Sequence, residues 1–426
     1  MVIRIRQMTV CEKIILAILM ITFGEGTLSI FVPQIHPLFY LTDVLNLLLL
    51  GIIIFKKSSK SIYNSNLRYF LLCFLVFSIC AAISMIFNFS NIVLHMWGLR
   101  KIYTNFIFFF ACVSFEYSNN LQFIDRLFGV NLLVSIIEIV LGYRQDFIGG
   151  IYGISRGDVN GPLNLLLIII VTKSIVQYIN KKEKLKRVVL VLGSTIAIAA
   201  FAELKVFFVE CVVLLVLCSL VTKFSFKKLF LFIISGIGVL IGIKLLFVIF
   251  PDISKNMFSI AYIWRYLTNP GGYVGQFAGN AGDMNRLAFW DKSMACLPDI
   301  LDKALGLGIG NCEYINVLNL QSDFYISHWR LNYYMFPLAM ILLQQGVIGM
   351  VLYILLFVML FFAVKKQKNN AKSGDSALYQ VVEVLCLMAF IITIYDTSLM
   401  GKGGLLFFFV LSLPFNQASQ RKGIHI

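Results

Sequence analysis

The chain has 426 residues, of which 59% are hydrophobic and 13% charged, with a mean hydropathy of +0.87. That composition excludes a soluble globular protein, and apolar runs of about 18 residues or more recur along the whole length, as membrane-spanning helices require. The net charge of +15 gathers in short links between those runs, which reads as the positive-inside pattern and not as a nucleic-acid surface.

In chain order, Arg4, Arg6 and Lys13 hold the amino terminus in the cytoplasm. The first apolar run, from Ile14, lacks a small-residue cleavage site and reads as a helix to about Val32 rather than as a signal peptide. Pro33 and Pro37, flanking His36, make an outer turn, and a second helix covers about Leu38 to Phe55. Lys56, Lys57, Lys60 and Arg68 mark an inner link before a third helix, Tyr69 to Phe87. His95 and Trp97 fall in a short outer link, and a fourth helix begins near Arg100 and ends near Phe115. A fifth, Leu127 to Leu141, leads to an outer glycine-bearing loop with Arg144, Asp146, Arg156 and Asp158. The sixth ends near Tyr178, before the strongest inner signal, Lys181, Lys182, Lys184, Lys186 and Arg187. Helices seven and eight form a tight pair over about Val188 to Thr222 that turns near Glu203 and Lys205, and a ninth spans about Leu229 to Phe250.

The interval from Pro251 to Phe336 is the one long polar stretch, far longer than a connection needs. It reads as the roof of an active site. Three more helices follow, about Pro337 to Val364, Leu378 to Tyr395, and a last one beyond the outer turn at Asp396 to Gly404. The predicted inner segments hold about 22 of the 36 Lys and Arg and about 5 of the 21 acids. The fold expected is therefore an all-α polytopic membrane protein with about 12 transmembrane helices and both termini cytoplasmic. Its parts are a bundle over residues 1–250, one large extracytoplasmic loop over 251–336, and a bundle over 337–426.

Charges within or bordering membrane helices are expensive and so draw attention: Glu25, Asp43, Glu138, Glu203, Lys205, Glu210, Glu383 and Asp396. Glu203 and Lys205, in AAFAELKVFF, read either as a structural ion pair or solvated turn, or as a floor contact for an anionic headgroup with Glu203 a candidate catalytic carboxylate. Arg100, Arg156, Arg265, Arg286 and Arg330 all fall at or beyond the outer edge, where basic residues are scarce. Arginine's planar fork suits phosphate; pairing with nearby aspartates, as Arg156 with Asp158, is the plainer reading. His328, in SHWRLNYYMF, is a candidate general base because an imidazole titrates near working pH. The glycines of GGYVGQFAGNAG (Gly271 to Gly282) read as a mobile lid, and those of GLGIG (Gly306 to Gly310) as a tight turn or a close approach. GLGIG is not a phosphate loop, since no GK[ST] follows. Most of the nine cysteines sit in apolar runs as small hydrophobes; Cys296 and Cys312 share the long loop, where pairing is left open. No CxxC or His/Cys cluster points to a metal.

Arg286 followed by Trp290, Pro298, GLGIG, His328 and then QQGVIGM resembles the O-antigen ligase and polysaccharide polymerase (Wzy-type) superfamily. AELKVFF at Ala202 to Phe208 is similar to a segment of capsular polysaccharide polymerases, and GIYGISRGDVNGP at Gly150 to Pro162 resembles their arginine-bearing glycine loop. His328 stands further from Gly346 than the ligase pattern has it, and the asparagine is Asn332, which favours polymerase over ligase.

The resemblance implies a glycosyltransferase of the bacterial plasma membrane that needs no metal or cofactor. It would join oligosaccharide repeat units carried on undecaprenyl pyrophosphate into O-antigen, capsular or exopolysaccharide. Membrane lipids, and a chain-length regulator, would be its other partners. Arg286 and Arg156 would contact the pyrophosphate first, then Lys205, Arg100 and Arg330, with Arg265 also in the binding set. His328, Glu203 or Asp323 would take the proton of the attacking hydroxyl. The alternatives are a ligase using the same site and a lipid-linked oligosaccharide flippase. Against the flippase, no internal repeat is seen and the charges gather at one edge.

Overall fold

A computed structural model of the chain describes residues 9–55, 66–114, 121–143, 147–155, 159–222, 236–238, 240–242, 244, 248, 289–370 and 376–416. Helices dominate because an apolar run in lipid must satisfy its backbone within itself. Eight come first: α1 (Val10–Ser29), α2 (Tyr40–Phe55), α3 (Arg68–Phe87), α4 (Ile92–Ser114), α5 (Leu121–Val140), α6 (Asn160–Ile179), α7 (Leu185–Phe201) and α8 (Lys205–Val221). The polar segment then carries short pieces: α9 (Phe289–Ala295), α10 (Ile300–Leu305), the strands β1 (Tyr314–Ile315) and β2 (Leu320–Gln321), and α11 (Asp323–His328). The strands pair antiparallel with Tyr314 opposite Gln321. Three helices close the chain: α12 (Pro337–Asn370), α13 (Ser376–Tyr395) and α14 (Lys402–Ser412).

Five helical stretches are long and apolar enough to cross a membrane by length and composition: Pro37–Phe55, Arg68–Phe87, Asn160–Ile179, Pro337–Asn370 and Ser376–Ile394. The chain is thus an all-α protein of membrane character. A helix apolar all round belongs inside a bundle. α6 is that pillar: 89% of its apolar window is buried, and α5, α7, α8, α13 and α14 pack around it. α3, with 22% buried, packs on α12 and turns most of its surface outward.

The first eight and last three helices read from the sequence correspond in order to α1–α8 and α12–α14. The expected ninth, Leu229 to Phe250, lies mostly outside the described residues, as do Arg156, Arg265, Arg286 and the glycines of 271–282. Three boundaries differ by six residues or more, the first being α5, which starts at Leu121 and not near Leu127. α4 starts at Ile92, not near Arg100, so His95 and Trp97 are helical. Asn91 explains this: its side-chain oxygen accepts the N–H groups of Val93 (2.9 Å) and Leu94 (3.4 Å), capping a helix that no breaker follows. α12 runs past Val364 to Asn370 because Lys and Gln are good helix formers; the lysines were read as a membrane edge, which is not a helix end.

One irregularity organises the polar segment. Gly346 has φ 64° and ψ −169°, which breaks α12 between its parts 337–345 and 347–370. Carbonyls freed at such a break must find donors. The N–H of Leu307 donates to the Leu343 carbonyl (2.8 Å), and that of Gly308 to the Gln344 carbonyl (3.1 Å). The Ser84 hydroxyl, from α3, also donates to the Gln344 carbonyl (3.1 Å), and the Asn88 amide holds the Gly306 carbonyl (3.1 Å). The GLGIG stretch is therefore a close approach between backbones, seated in the break of α12.

The two ends of the bundle carry separate ion pairs. At one end Asp125 of α5 meets Lys173 of α6 and Arg187 of α7, the latter at 3.0 Å, and Lys368 meets Glu383 at 2.9 Å. The other end bears the segment 289–336, called the roof below.

Candidate functional site

Several buried polar groups converge at the roof-bearing end. His95 is fully buried in α4, not in an outer link as expected from the sequence. The Ser90 N–H donates to its Nε2 (3.0 Å), so the ring proton sits on Nδ1 and donates to the Ile309 carbonyl. Both nitrogens are used, and His95 fastens GLGIG to α4.

Six residues further along α4, Lys101 donates to the carboxylate of Glu313, just before β1. Glu313 is 2% exposed, and its second oxygen accepts from the Gln344 amide (2.9 Å), two residues before the break in α12. Burial of a carboxylate requires such partners. Lys101 also lies 5.9 Å from the centre of the Tyr314 ring, which stacks on Tyr325 at 4.4 Å.

Arg100 is held differently. Its Nε donates to Asp43 of α2 (2.7 Å), and its guanidinium lies 4.5 Å from the Trp97 ring centre and 5.1 Å from that of Tyr40. Lys402, at the start of α14, donates to the fully buried Glu25 of α1 (2.7 Å) and lies 4.8 Å from the Phe39 ring centre. Each of the three cations spans two elements, and each keeps part of its side chain in the open: 25% for Arg100, 33% for Lys101 and 27% for Lys402.

Glu203 and Lys205 pair at 2.8 Å in the α7–α8 turn, where Glu203 takes a left-handed φ of 56°. The structural-pair reading of AELK therefore holds for the geometry. On the roof, His328 ends α11, stacks on Phe324 (4.4 Å between ring centres) and has Nδ1 3.2 Å from the Phe324 carbonyl. A carbonyl only accepts, so that contact places a proton on Nδ1. Asp323 and Arg330 are exposed, Arg330 lying 5.5 Å from the Trp329 ring centre. Among the described residues no hydrogen bond, ion pair or ring contact joins His328 to Arg100, Glu203 or Lys205.

Sequence reading passed over Lys101, Glu313, Gln344 and Lys402. The available signal was weak: an acid three residues after GLGIG, and lysines beside helix ends on the side where basic residues are scarce. Deeper in the bundle, Glu138 accepts the Gly150 N–H (2.8 Å) and Asn131 the Ile151 N–H (3.1 Å), which fixes segment 147–155 between α1, α5 and α6. Among the described residues no group of three or more His, Cys, Asp or Glu is placed to hold a metal ion.

Cys296 and Cys312 are both free thiols in one apolar cluster with Leu297, Tyr333 and Phe336. Burial pushes the Cys312 thiol well up, with Glu313 and Cys296 adding to it, and pushes Cys296 up as well. Raised thiols hold little thiolate at neutral pH. In native protein at pH 7.5, N-ethylmaleimide is expected to leave Cys312 unlabelled and to label Cys296 slowly, with both reacting on unfolding. Peptide mass spectrometry reads this directly, and rapid native labelling of Cys312 would contradict the buried seat of GLGIG.

A scan against protein-family models finds none that matches the chain, and a search of curated proteins finds no match either.

Proposed function

We propose that the chain is a membrane glycosyltransferase that joins oligosaccharide repeat units carried on undecaprenyl pyrophosphate, working at the outer face of a bacterial plasma membrane with the roof outside and both termini in the cytoplasm. The observation that carries this reading is the trio Arg100, Lys101 and Lys402. Three part-exposed cations, each paired with a more deeply buried acid, lie on α4 and at the start of α14, two helices that pack on each other. A pyrophosphate headgroup on a lipid tail has the complementary form: charge at the edge, hydrocarbon beside the helices. The cations stabilise the charge that develops as polyprenyl pyrophosphate leaves, and the rigid roof positions the acceptor. The sequence resemblance to polysaccharide polymerases points the same way. Arg286 and Arg156 join the cationic set in this reading, and His328 and the buried carboxylates are the groups available to take a proton.

Deletion of the gene, complemented with wild type, Arg100→Ala or Arg286→Ala, tests it on a size ladder of surface and lipid-linked glycan. Deletion is expected to leave single repeat units, and either variant, at normal protein level, to lower long-chain product about a hundredfold. Long chains that accumulate on the carrier lipid would make the protein a ligase instead. Normal chains at their normal destination would reject both enzyme readings.

A further inference from the structure

Two acids from neighbouring elements meet one face of the pillar helix α6, about one turn apart. Gly161 and Asn164 are three residues apart and so lie on the same side of the helix. The carboxylate of Asp396 sits against Gly161, where a Cβ would meet its oxygens at 2.6 and 2.9 Å. Glu210, from α8, reaches the next turn: the Asn164 amide donates to its Oε2 at 2.7 Å. Asp396 is near enough for its charge to act on Glu210.

Glu210 and Asn164 are 2% and 3% exposed, yet among the described residues Glu210 Oε1 and Asn164 Oδ1 have no hydrogen-bond partner. Two buried acceptor oxygens on one bonded pair call for donors. The cations described at this end pair with acids other than Glu210: Arg100 with Asp43, Lys101 with Glu313, Lys402 with Glu25 and Lys205 with Glu203. A neutral ligand rich in hydroxyl groups supplies what is missing.

Resting on the glycosyltransferase reading, we propose that Glu210, Asn164 and Asp396 form the subsite of the acceptor sugar, with Glu210 as the base for its attacking hydroxyl. The hydroxyl oxygen bonds to the anomeric carbon of the donor glycan while the bond from that carbon to the pyrophosphate oxygen breaks. The electron pair leaves with the polyprenyl pyrophosphate, and the hydroxyl proton passes to Glu210 Oε1. Asn164 Oδ1 accepts from a neighbouring sugar hydroxyl.

The test uses full-length protein in lipid nanodiscs with an undecaprenyl-pyrophosphate-linked repeat unit as probe. Dicyclohexylcarbodiimide, an apolar reagent that reaches carboxyls away from water, is expected to modify wild-type Glu210, and the lipid-linked unit to protect it about fivefold or more, read by peptide mass spectrometry. Glu210→Gln is expected to lower chain formation by about a hundredfold, while binding of the lipid-linked unit stays within about threefold. Chain formation by Glu210→Gln above about a third of the wild-type rate overturns the proposal, as does Glu210 labelling that the unit leaves unchanged. The protection arm uses wild-type protein and so does not depend on the variant's folding. If wild type forms no chains but the unit still protects Glu210, the polymerase reading fails and the glycan subsite stands. No chains and no protection reject both.

Discussion

Gly346→Ala is expected to unseat the roof and to destabilise the protein by on the order of 4 kcal/mol. Two costs add. At φ 64° and ψ −169° the backbone is in a region essentially reserved for glycine. A Cβ there would also meet the Ala304 carbonyl carbon and oxygen at 2.3 Å and the Leu305 nitrogen at 2.5 Å, and backbone does not step aside as a flexible side chain does. Gly306 faces the same contact from the other side: at φ 77°, its Cβ would stand 2.3 Å from the Gln345 nitrogen. Gly306→Ala should therefore behave alike, and the double variant should cost less than the sum, because both changes open one shared contact. Thermal unfolding in nanodiscs, followed through the roof tryptophans Trp290 and Trp329, measures this. A Gly346→Ala protein that melts with wild type would show that GLGIG is not seated in the break of α12.

Lys101→Met is expected to weaken the docking of the roof by on the order of 3 kcal/mol, because it leaves the 2%-exposed Glu313 without its counter-charge. Glu313→Gln should cost less, on the order of 1 kcal/mol, since Lys101 is a third exposed and water can take over its charge. Combining the two should recover most of what Lys101→Met loses, since the buried charge is then gone. Amide hydrogen exchange over residues 307–315 reports the docking equilibrium for each of the four proteins. Equal exchange in wild type and Lys101→Met would mean the pair holds nothing in place.

These couplings explain what was readable in the sequence and what was not. The apolar runs gave α1–α8 and α12–α14 in order, because helix length in lipid is set by local composition. The pairing of Glu203 with Lys205 was also within reach, the two lying in one turn. Lys101 and Glu313 are 212 residues apart, and Lys402 and Glu25 are 377 apart, so no local pattern announces either pair. Arg100 and Asp43 were both noticed as costly charges, but their pairing is a product of α2–α4 packing. GLGIG was legible as a close approach; its partner, the break at Gly346, lay hidden within an apolar run that reads as one continuous helix. His95 was misplaced because a helix start set by the Asn91 side chain was taken for a link.

The proposed activity requires that this chain alone join lipid-linked repeat units. Purified wild-type protein in nanodiscs, given only undecaprenyl-pyrophosphate-linked repeat units, is expected to convert them into a ladder of longer glycans still attached to the carrier, with one free undecaprenyl pyrophosphate released per linkage formed. Single units that persist unchanged, with no pyrophosphate carrier released, would contradict it.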